Sequence, residues 1–472
     1  MIDACLQTLD DPRVVITRTG PGYQQGFAGG ASEAIARAAT LLGWSGRERG
    51  PLGQVIPVGA RVVVKPNLVM HVNQGPWGIE PLITDPGLIQ ATVAAALQSG
   101  ASEVIVGDAP VQGCDFDELL SVTGLDQWSN RLEDAEPRFR GIRDFRRTTC
   151  EFVDGVRVAS ENLVPEDQFV LFDLCSDSLL EPITDERHSF RVTCYDPRLL
   201  ANTHSPRRHQ YLVARDVIDA DVVINLPKLK THKKAGITCA LKNLIGINGN
   251  KEYLPHHRIG GSETGGDCYP GGSRIKRALE YTLDLQNKAS SQVAARLWRE
   301  VASNLDRVSS IAGDRLGVEG SWSGNDTVWR TGLDLNRVVL YGRSDGSLAD
   351  TIQRRVIHLV DAVVAGQGDG PLRPEPFPLG LILAGSNAAA VDLVGAQLLD
   401  YEPQLIPIVR EAFGRFRWPL AAFPADEVSV SGDLGTGRAV SVLSSGNAAS
   451  NVVHPAGWRD AARAPKDAST GG

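Results

Sequence analysis

The sequence predicts an α/β protein: a mostly parallel sheet core with helices on both faces and two loop-rich insertions. Three observations carry this. Short apolar, largely β-branched runs recur along the chain, each ended by Gly, Pro or a charge. Near-continuous apolar strands are what a parallel sheet buried on both faces requires. Segments of helical periodicity lie between several of them, and that alternation defines the α/β class. Two stretches, 126–215 and 250–335, lose the periodicity and gain charge, so they read as insertions on the core.

The elements follow in order. VVITRTG from Val14 is a strand and SEAIARAATLLGW from Ser32 a helix. RVVVKPN from Arg61 is the next strand. TDPGLIQATVAAALQSG from Thr84 is a helix with Thr84 or Asp85 as N-cap and Pro86 in its first turn, where a missing N–H costs nothing. EVIVGDAP from Glu103, FVLFDL from Phe169, DVVINLPK from Asp221, RVVLYG from Arg337 and GLILAG from Gly380 read as further strands. RVIHLVDAVVAG from Arg355 and NAAAVDLVGAQLLD from Asn387 have helical spacing, and PLRPEPFPLG from Pro371 reads as a Pro-rich connector. VVVKPN and VVINLPK look alike, an apolar strand followed by Pro with Lys and Asn close by, which suggests two related halves. The expected organisation is an N-terminal α/β half (1–125), an insertion (126–215), a basic Gly-rich active-site segment on the core (216–275), a helical insertion (276–335), a C-terminal α/β half (336–453) and a disordered tail (454–472).

Composition narrows the function. The 472 residues carry a net charge of −8, which argues against a nucleic-acid groove, since tracking phosphates requires a broad basic face. No apolar run approaches the roughly 18 residues of a membrane span, and the opening MIDACLQTLDDPR has neither a basic nor an apolar leader region. The seven cysteines never form CxxC, so a ferredoxin-like cluster has no local motif. Scattered structural thiols in a reducing cytoplasm are expected, with Cys239 the one in a chemically interesting setting. The expected partner is a small anionic molecule, with no nucleic acid and no membrane; the oligomeric state is not readable.

One stretch departs from the rest. Leu226 to Arg258, LPKLKTHKKAGITCALKNLIGINGNKEYLPHHR, holds six lysines and three histidines, whereas the whole chain has ten lysines against 38 arginines. Lys is a compact point charge that gives up its proton when desolvated or crowded by other cations, which Arg does not. A solvated basic loop is the bland alternative. In open α/β sheets, ligands bind beyond the carboxyl ends of the strands. There the sequence delivers Lys65 and Asn67 from RVVVKPN, Asp108 from EVIVGDAP, and Asn225, Lys228, Lys230 and His232 from DVVINLPKLKTH. Lys242 and Asn243 lie in the apolar run ALKNLI, Gly246 allows close backbone approach, and His256, His257 and Asp369 bring more polar groups. Asp392, inside an apolar helix, needs a partner to be tolerated. The candidate catalytic groups are His232, Lys242, Asp108 and Asp392. The candidate substrate-binding groups are Lys65, Asn67, Asn225, Lys228, Lys230, Asn243, Gly246, His256, His257 and Asp369. No HxxxH, HExxH or DxDxDG spacing indicates a metal, and the residues name no cofactor.

The strand ending KPN, the VGD strand end, NLPKLKTH with ITCALKNLIG, the GQGDGP loop and the SNAAAVD helix together resemble the large bacterial and archaeal family catalogued as domain of unknown function 362. The resemblance spans roughly residues 60–110, 215–275 and 335–412. It implies a fold and motif positions, not a reaction. Many members look to carry an added cysteine-rich ferredoxin segment, which this sequence lacks. A second, looser similarity is to the lactate racemase family and its loop H-x-x-A-G-x-S-x-G-x-K. His232, Ala235, Gly236, Thr238, Ala240 and Lys242 fall at matching spacings. In that family the Lys holds a nickel-pincer nucleotide.

The sequence therefore points to a cytosolic enzyme acting on a small carboxylate or phosphate through a Lys/His/Asp site. The alternatives are a non-catalytic module that binds an anionic cofactor or polyanion, and a racemase or redox enzyme with a metal-bearing cofactor on Lys242.

Overall fold

The computed structural model describes residues 8–19, 22, 27–46, 48–153, 156–162, 164–311, 316–443 and 451–462. The core elements, in chain order, are β1 (Arg13–Arg18), α1 (Phe27–Leu42), β2 (Arg61–Pro66), α2 (Pro86–Gln98), β3 (Glu103–Asp108), β4 (Phe139–Asp144), β5 (Val222–Leu226), β6 (Lys228–His232), β7 (Gly236–Thr238), α3 (Ala240–Asn243), α4 (Val328–Tyr341), β8 (Arg355–Asp369), β9 (Arg373–Gly385), α5 (Ala388–Leu398), β10 (Ser429–Gly432) and β11 (Gly437–Arg438). The strands form one sheet in the order β11-β10-β1-β9-β8-β5-β2-β3-β4. Strands β8, β5, β2, β3 and β4 run parallel, β1 and β10 share their direction, and β9 runs against its neighbours. The α/β class with a mostly parallel sheet is thus as the sequence predicts.

Helices cover both faces. The α1 and α2 side buries Val15, Ile35, Val62, Val64, Leu88, Val104 and Ile224. The other side packs α4 and α5 on Val14, Ile16, Val63, Ile105, Val223, Val356 and Val360. Alternate residues of β2 therefore enter opposite cores, as the two-residue strand period demands. Helix α2 starts where expected: Asp85 accepts the Gly87 N–H at 2.7 Å, and Pro86 follows.

Three elements differ from the sequence reading. RVIHLVDAVVAG is not a helix but most of β8, whose Val356 to Ala365 are buried throughout. RVVLYG is not a strand but the end of α4, where Thr331 to Tyr341 are all buried. Burial on every side removes the polar face from which periodicity is read, so a buried strand and a buried helix look alike. The Pro-rich PLRPEPFPLG is no connector either: it is the first part of β9, and its residues pair with β8 from Asp369↔Arg373 to Val364↔Pro378.

The insertions carry their own structure. Residues 126–215 include a hairpin (Thr148–Val153 with Val156–Asn162) and a three-stranded antiparallel sheet containing Phe169–Asp173, so FVLFDL is a strand outside the main sheet. Residues 276–335 bring the helix pair Arg274–Lys288 and Gln292–Ile311. The expected disordered tail begins too early at 454. Ala456–Ala461 form a short 3-10 helix, and Trp458 is buried with its Nε1 donating to the Lys233 carbonyl at 2.7 Å. Residues 463–472 lie outside the described residues.

The lysine-rich segment enters the sheet through a step at Pro227. β5 pairs with the first half of β8, from Val222↔Arg355 to Asn225↔His358. The chain then shifts, and β6 pairs with the second half, Lys228 opposite Asp361 and Lys230 opposite Gly366. Lys228 Nζ lies 2.7 Å from Asp361 Oδ2, with both side chains fully buried. Asp361 also accepts the Asp85 and Val363 N–H groups. This pair ties the lysine-rich segment to the sheet. Asp361→Ala takes away the carboxylate facing a buried ammonium, and breaking such a pair costs about 3–5 kcal/mol. Urea unfolding should show that loss, and Lys228→Met with Asp361→Leu should recover most of it; equal stability of Asp361→Ala and the native chain would contradict the assignment.

Candidate functional site

Strands β2, β3 and β5 end side by side, which brings Lys65, Asp108 and Asn225 to one edge. Lys65 Nζ sits 2.6 Å from Asp108 Oδ1, and both side chains are buried. Asp108 also accepts the Leu68 N–H at 2.6 Å and the Ala109 N–H at 2.9 Å. Burial pushes the Asp108 carboxyl up and the Lys65 ammonium down, and each partner pulls the other back. Gly246 closes over this pair. A Cβ there would stand 2.2 Å from Asp108 Oδ1 and 2.7 Å from Lys65 Nζ, so only glycine fits.

A chain of amides locks α3 to the strand ends. Asn243 Oδ1 accepts from Lys65 Nζ at 3.2 Å and from Asn67 Nδ2 at 3.0 Å. Its Nδ2 donates to Asn225 Oδ1 at 2.8 Å, and Asn225 Nδ2 donates to the Ala240 carbonyl at 2.9 Å. Asn67, Asn225 and Asn243 therefore fix the position of Lys242.

Lys242 and Lys251 define the centre. Among the described residues neither ammonium has a hydrogen bond or an ion pair. Burial, then the fields of Lys251, Lys234 and Lys65, lower Lys242 to about 7, with Asp108 opposing. Burial, then Lys234 and Arg146, lower Lys251 to about 8. Lys230 is pushed well down by burial and by Lys228 and Lys242, while its Nζ donates to the Leu82 carbonyl at 2.6 Å. Lys234 reaches Thr193 Oγ1 at 2.6 Å and Glu319 at 3.6 Å.

Two histidines face the same cations. Burial and the charges of Lys242, Lys230 and Lys234 keep His232 neutral, and burial with Lys234, Lys251 and Lys242 does the same for His256. His232 Nδ1 accepts the Lys234 and Ala235 N–H groups at 3.0 and 3.2 Å, so its proton is on Nε2. His256 Nδ1 lies 2.7 Å from the Leu254 carbonyl, so it donates there and Nε2 carries the lone pair.

The remaining candidates stand elsewhere. Lys228 is committed to Asp361. Asp392 does not face the cations: it lies under the start of α3, accepts the Leu241 N–H at 3.3 Å on both oxygens, and is raised to about 7 by burial, with Cys239 pulling it back. It is a structural cap, and Cys239 is its partner. His257 points to the other side, where burial and Lys234 lower it to about 3 while Glu319 opposes. Asp369 is exposed on the β8–β9 hairpin. Lys234, Lys251, Thr193 and Arg146 are not among the candidates that the sequence offers. The two lysines were signalled by the same Lys-rich stretch; Thr193 and Arg146 had no signal, because they come from the insertion.

Among the described residues, no group of three or more His, Cys, Asp or Glu side chains converges as a metal site. A cavity of about 400 Å³ lies beyond Glu319, lined in part by Arg191, His257, Glu280, Asp284 and Glu319. Its Arg191 is already bound to Asp284 at 2.8 Å, and Glu319 to Lys233 at 3.0 Å. Neither Lys242 nor Lys251 lines that cavity.

Fold and site define an α/β protein with a cation-lined site at the carboxyl edge of its parallel strands. The chain belongs to the family described as Domain of unknown function (DUF362), whose model matches residues 62–163 and 188–397. It is 22% identical over 377 residues to the thylakoid-associated protein sll1697 of Synechocystis sp., covering 80% of this chain and 73% of that protein. A crystal structure of a Thermotoga maritima protein aligns with 77% of this chain at 11% identity and a TM-score of 0.27, a likeness too slight to transfer anything; the chain spans 55% of that protein's length. No helix among the described residues is long and apolar enough to cross a membrane.

Two outcomes follow from this geometry. Gly246→Ala drives a methyl into the Lys65–Asp108 pair and should lower stability by about 1–3 kcal/mol, as overpacking does, read by urea unfolding; an unchanged midpoint would refute the close approach. Lys242→Met should stabilise the ligand-free protein by about 0.5–2 kcal/mol, as removal of a strained site residue commonly does. The folded pKa is below the unfolded one, so the cost is full below about 7 and is relieved as pH rises toward 10.5. The gain should therefore be largest at pH 6 and fade by pH 10 in thermal melts.

Proposed function

We propose that this chain is an enzyme acting on a small anionic substrate, a carboxylate or a phosphate, bound by Lys242 and Lys251 with Lys234 beside them. The observation that supports this most is the absence of any partner for Lys242 and Lys251 among the described residues, although burial and like charge lower both. Held ammonium groups repel one another at a cost of order 1 kcal/mol even at high dielectric. A fold that keeps them together is arranged for the anion that offsets them. Perturbed amines beside neutral histidines, at the edge where α/β proteins place their sites, favour chemistry over mere docking.

Phosphate or a polyanion of nucleic-acid type would meet the same cations, but the net charge of −8 keeps the rest of the surface unsuited to a long polyanion. The proposed compartment is the cytoplasm, in keeping with the free thiols of Cys114, Cys175, Cys194, Cys239 and Cys268. The name of the Synechocystis relative speaks of thylakoid association for that protein, and the same association is a proposal here only as far as a surface contact.

The test is thermal shift with sulfate, phosphate, oxalate and citrate. An anion at 100 times its Kd adds about 2.7 kcal/mol to the folded state. Lys242→Met and Lys251→Met should each weaken binding at least tenfold. Binding should also weaken as pH rises through 7 to 8, because the ammonium forms are what the anion meets. Shifts that match the native chain's in both variants and stay flat with pH would end this reading.

A further inference from the structure

The two histidines beside Lys242 are fixed in opposite tautomers. His232 takes two backbone N–H groups on Nδ1 and so presents Nε2–H, a donor. His256 donates Nδ1–H to the Leu254 carbonyl and so presents a bare Nε2, an acceptor. Each lies within the field of Lys242, and His232 also within that of His256. Lys242 itself has no hydrogen bond or ion pair among the described residues. An anion-binding pocket alone has no use for an imidazole acceptor, since a lone pair repels an anion. It has a use where an amine must lose protons.

We propose that Lys242 forms an imine with the carbonyl carbon of a small 2-oxo acid whose carboxylate is held by Lys251 and Lys234. This deepens the anionic-substrate reading and rests on it. The Lys242 lone pair forms the C–N bond, and the carbonyl π electrons move to oxygen, where His232 Nε2–H donates a hydrogen bond to the developing oxyanion. Neutral imidazole serves here as hydrogen-bond donor and gives up no proton. His256 Nε2 accepts one N–H proton and passes it to that oxygen, which yields the carbinolamine. The nitrogen lone pair then expels the hydroxyl group, and the second N–H proton leaves with it through His256. The two amine hydrogens and the carbonyl oxygen depart as water, so no oxidant, reductant or further reactant is needed. An amine desolvated beside a second cation is suited to such attack, because a larger share of it is unprotonated near neutral pH. Lys251 and Lys234 supply that second charge and hold the carboxylate, so binding and activation use the same cations.

The experiment is borohydride trapping on the full-length chain. Purified protein is mixed separately with pyruvate, glyoxylate and 2-oxoglutarate, reduced with sodium borohydride, and analysed by intact mass and peptide mapping. The expected result is a single reduced adduct on Lys242 with at least one of the three. Lys242→Arg should give none, and His256→Gln should slow trapping at least tenfold while its thermal shift with oxalate stays within twofold of native. The imine is overturned by no adduct with any oxo acid, by an adduct on another lysine, or by native trapping rates in His256→Gln. It is also overturned if the untreated protein already carries a covalent group on Lys242. Oxalate binding is read in the same samples. If oxalate still binds through Lys242 and Lys251 while no adduct forms, the imine fails and the anion site stands; if oxalate does not bind, the anion reading itself fails.

Discussion

The buried contact between Lys65 and Asp108, 2.6 Å apart at the ends of adjacent parallel strands, is the constraint on which the rest of the site depends. It lets a positive charge exist inside the protein, and it sets where the next segment can lie. Asp108 spends its other lone pairs on the Leu68 and Ala109 N–H groups, so the turns after β2 and β3 are fixed by the same carboxylate. Gly246 rests directly over the pair, and the Ala109 N–H donates to its carbonyl at 2.8 Å. A single carboxylate thus organises two strand ends and the loop that crosses them. A buried charge lacking its partner would cost several kcal/mol, which leaves this arrangement little freedom.

A hierarchy among the lysines follows. Lys65 and Lys228 each have a carboxylate and act as anchors. Lys230 donates to the Leu82 and Pro371 carbonyls, and burial pushes it well down. Lys234 is shared between Thr193 and Glu319. Only after these are satisfied do Lys242 and Lys251 remain, and they are the ones that burial and like charge depress to about 7 and 8. Buried anchors and unpartnered cations are therefore supplied by the same residue type, separated by whether a carboxylate is within reach.

The insertions complete the site rather than decorate it. Thr193 belongs to the first, and Glu319 to the loop after the helix pair of the second. Arg146, buried and bound to Asp144 at 2.5 Å, adds to the positive field at Lys251. Trp458, from the far end of the chain, donates to the Lys233 carbonyl, and Gly236 has a positive φ of 80° with Trp458 packed where a side chain would point. The turn between β6 and β7 that presents His232 is thereby held from outside the sheet.

What the sequence determined by itself was the class of fold and which polar residues stand at the strand ends. Strand ends are legible because apolar β-branched runs stop at a polar residue, as at Lys65, Asp108 and Asn225, and lysine enrichment is visible against an arginine-rich background. The tertiary structure decided what each residue does. Asp361 was hidden inside what looked like a helix, because β8 is buried on both faces and offers no polar side from which to read its period. The sequence offers Asp392 as a site carboxylate, whereas it caps α3 from beneath, and nothing in its own helix reveals what lies across from it. His256 and His257 are adjacent in sequence and face different surroundings. Whether a lysine is an anchor or stays without a carboxylate depends on the distance from its Nζ to a residue that can lie more than a hundred positions away, as for Lys228 and Asp361, and that distance is set only by folding.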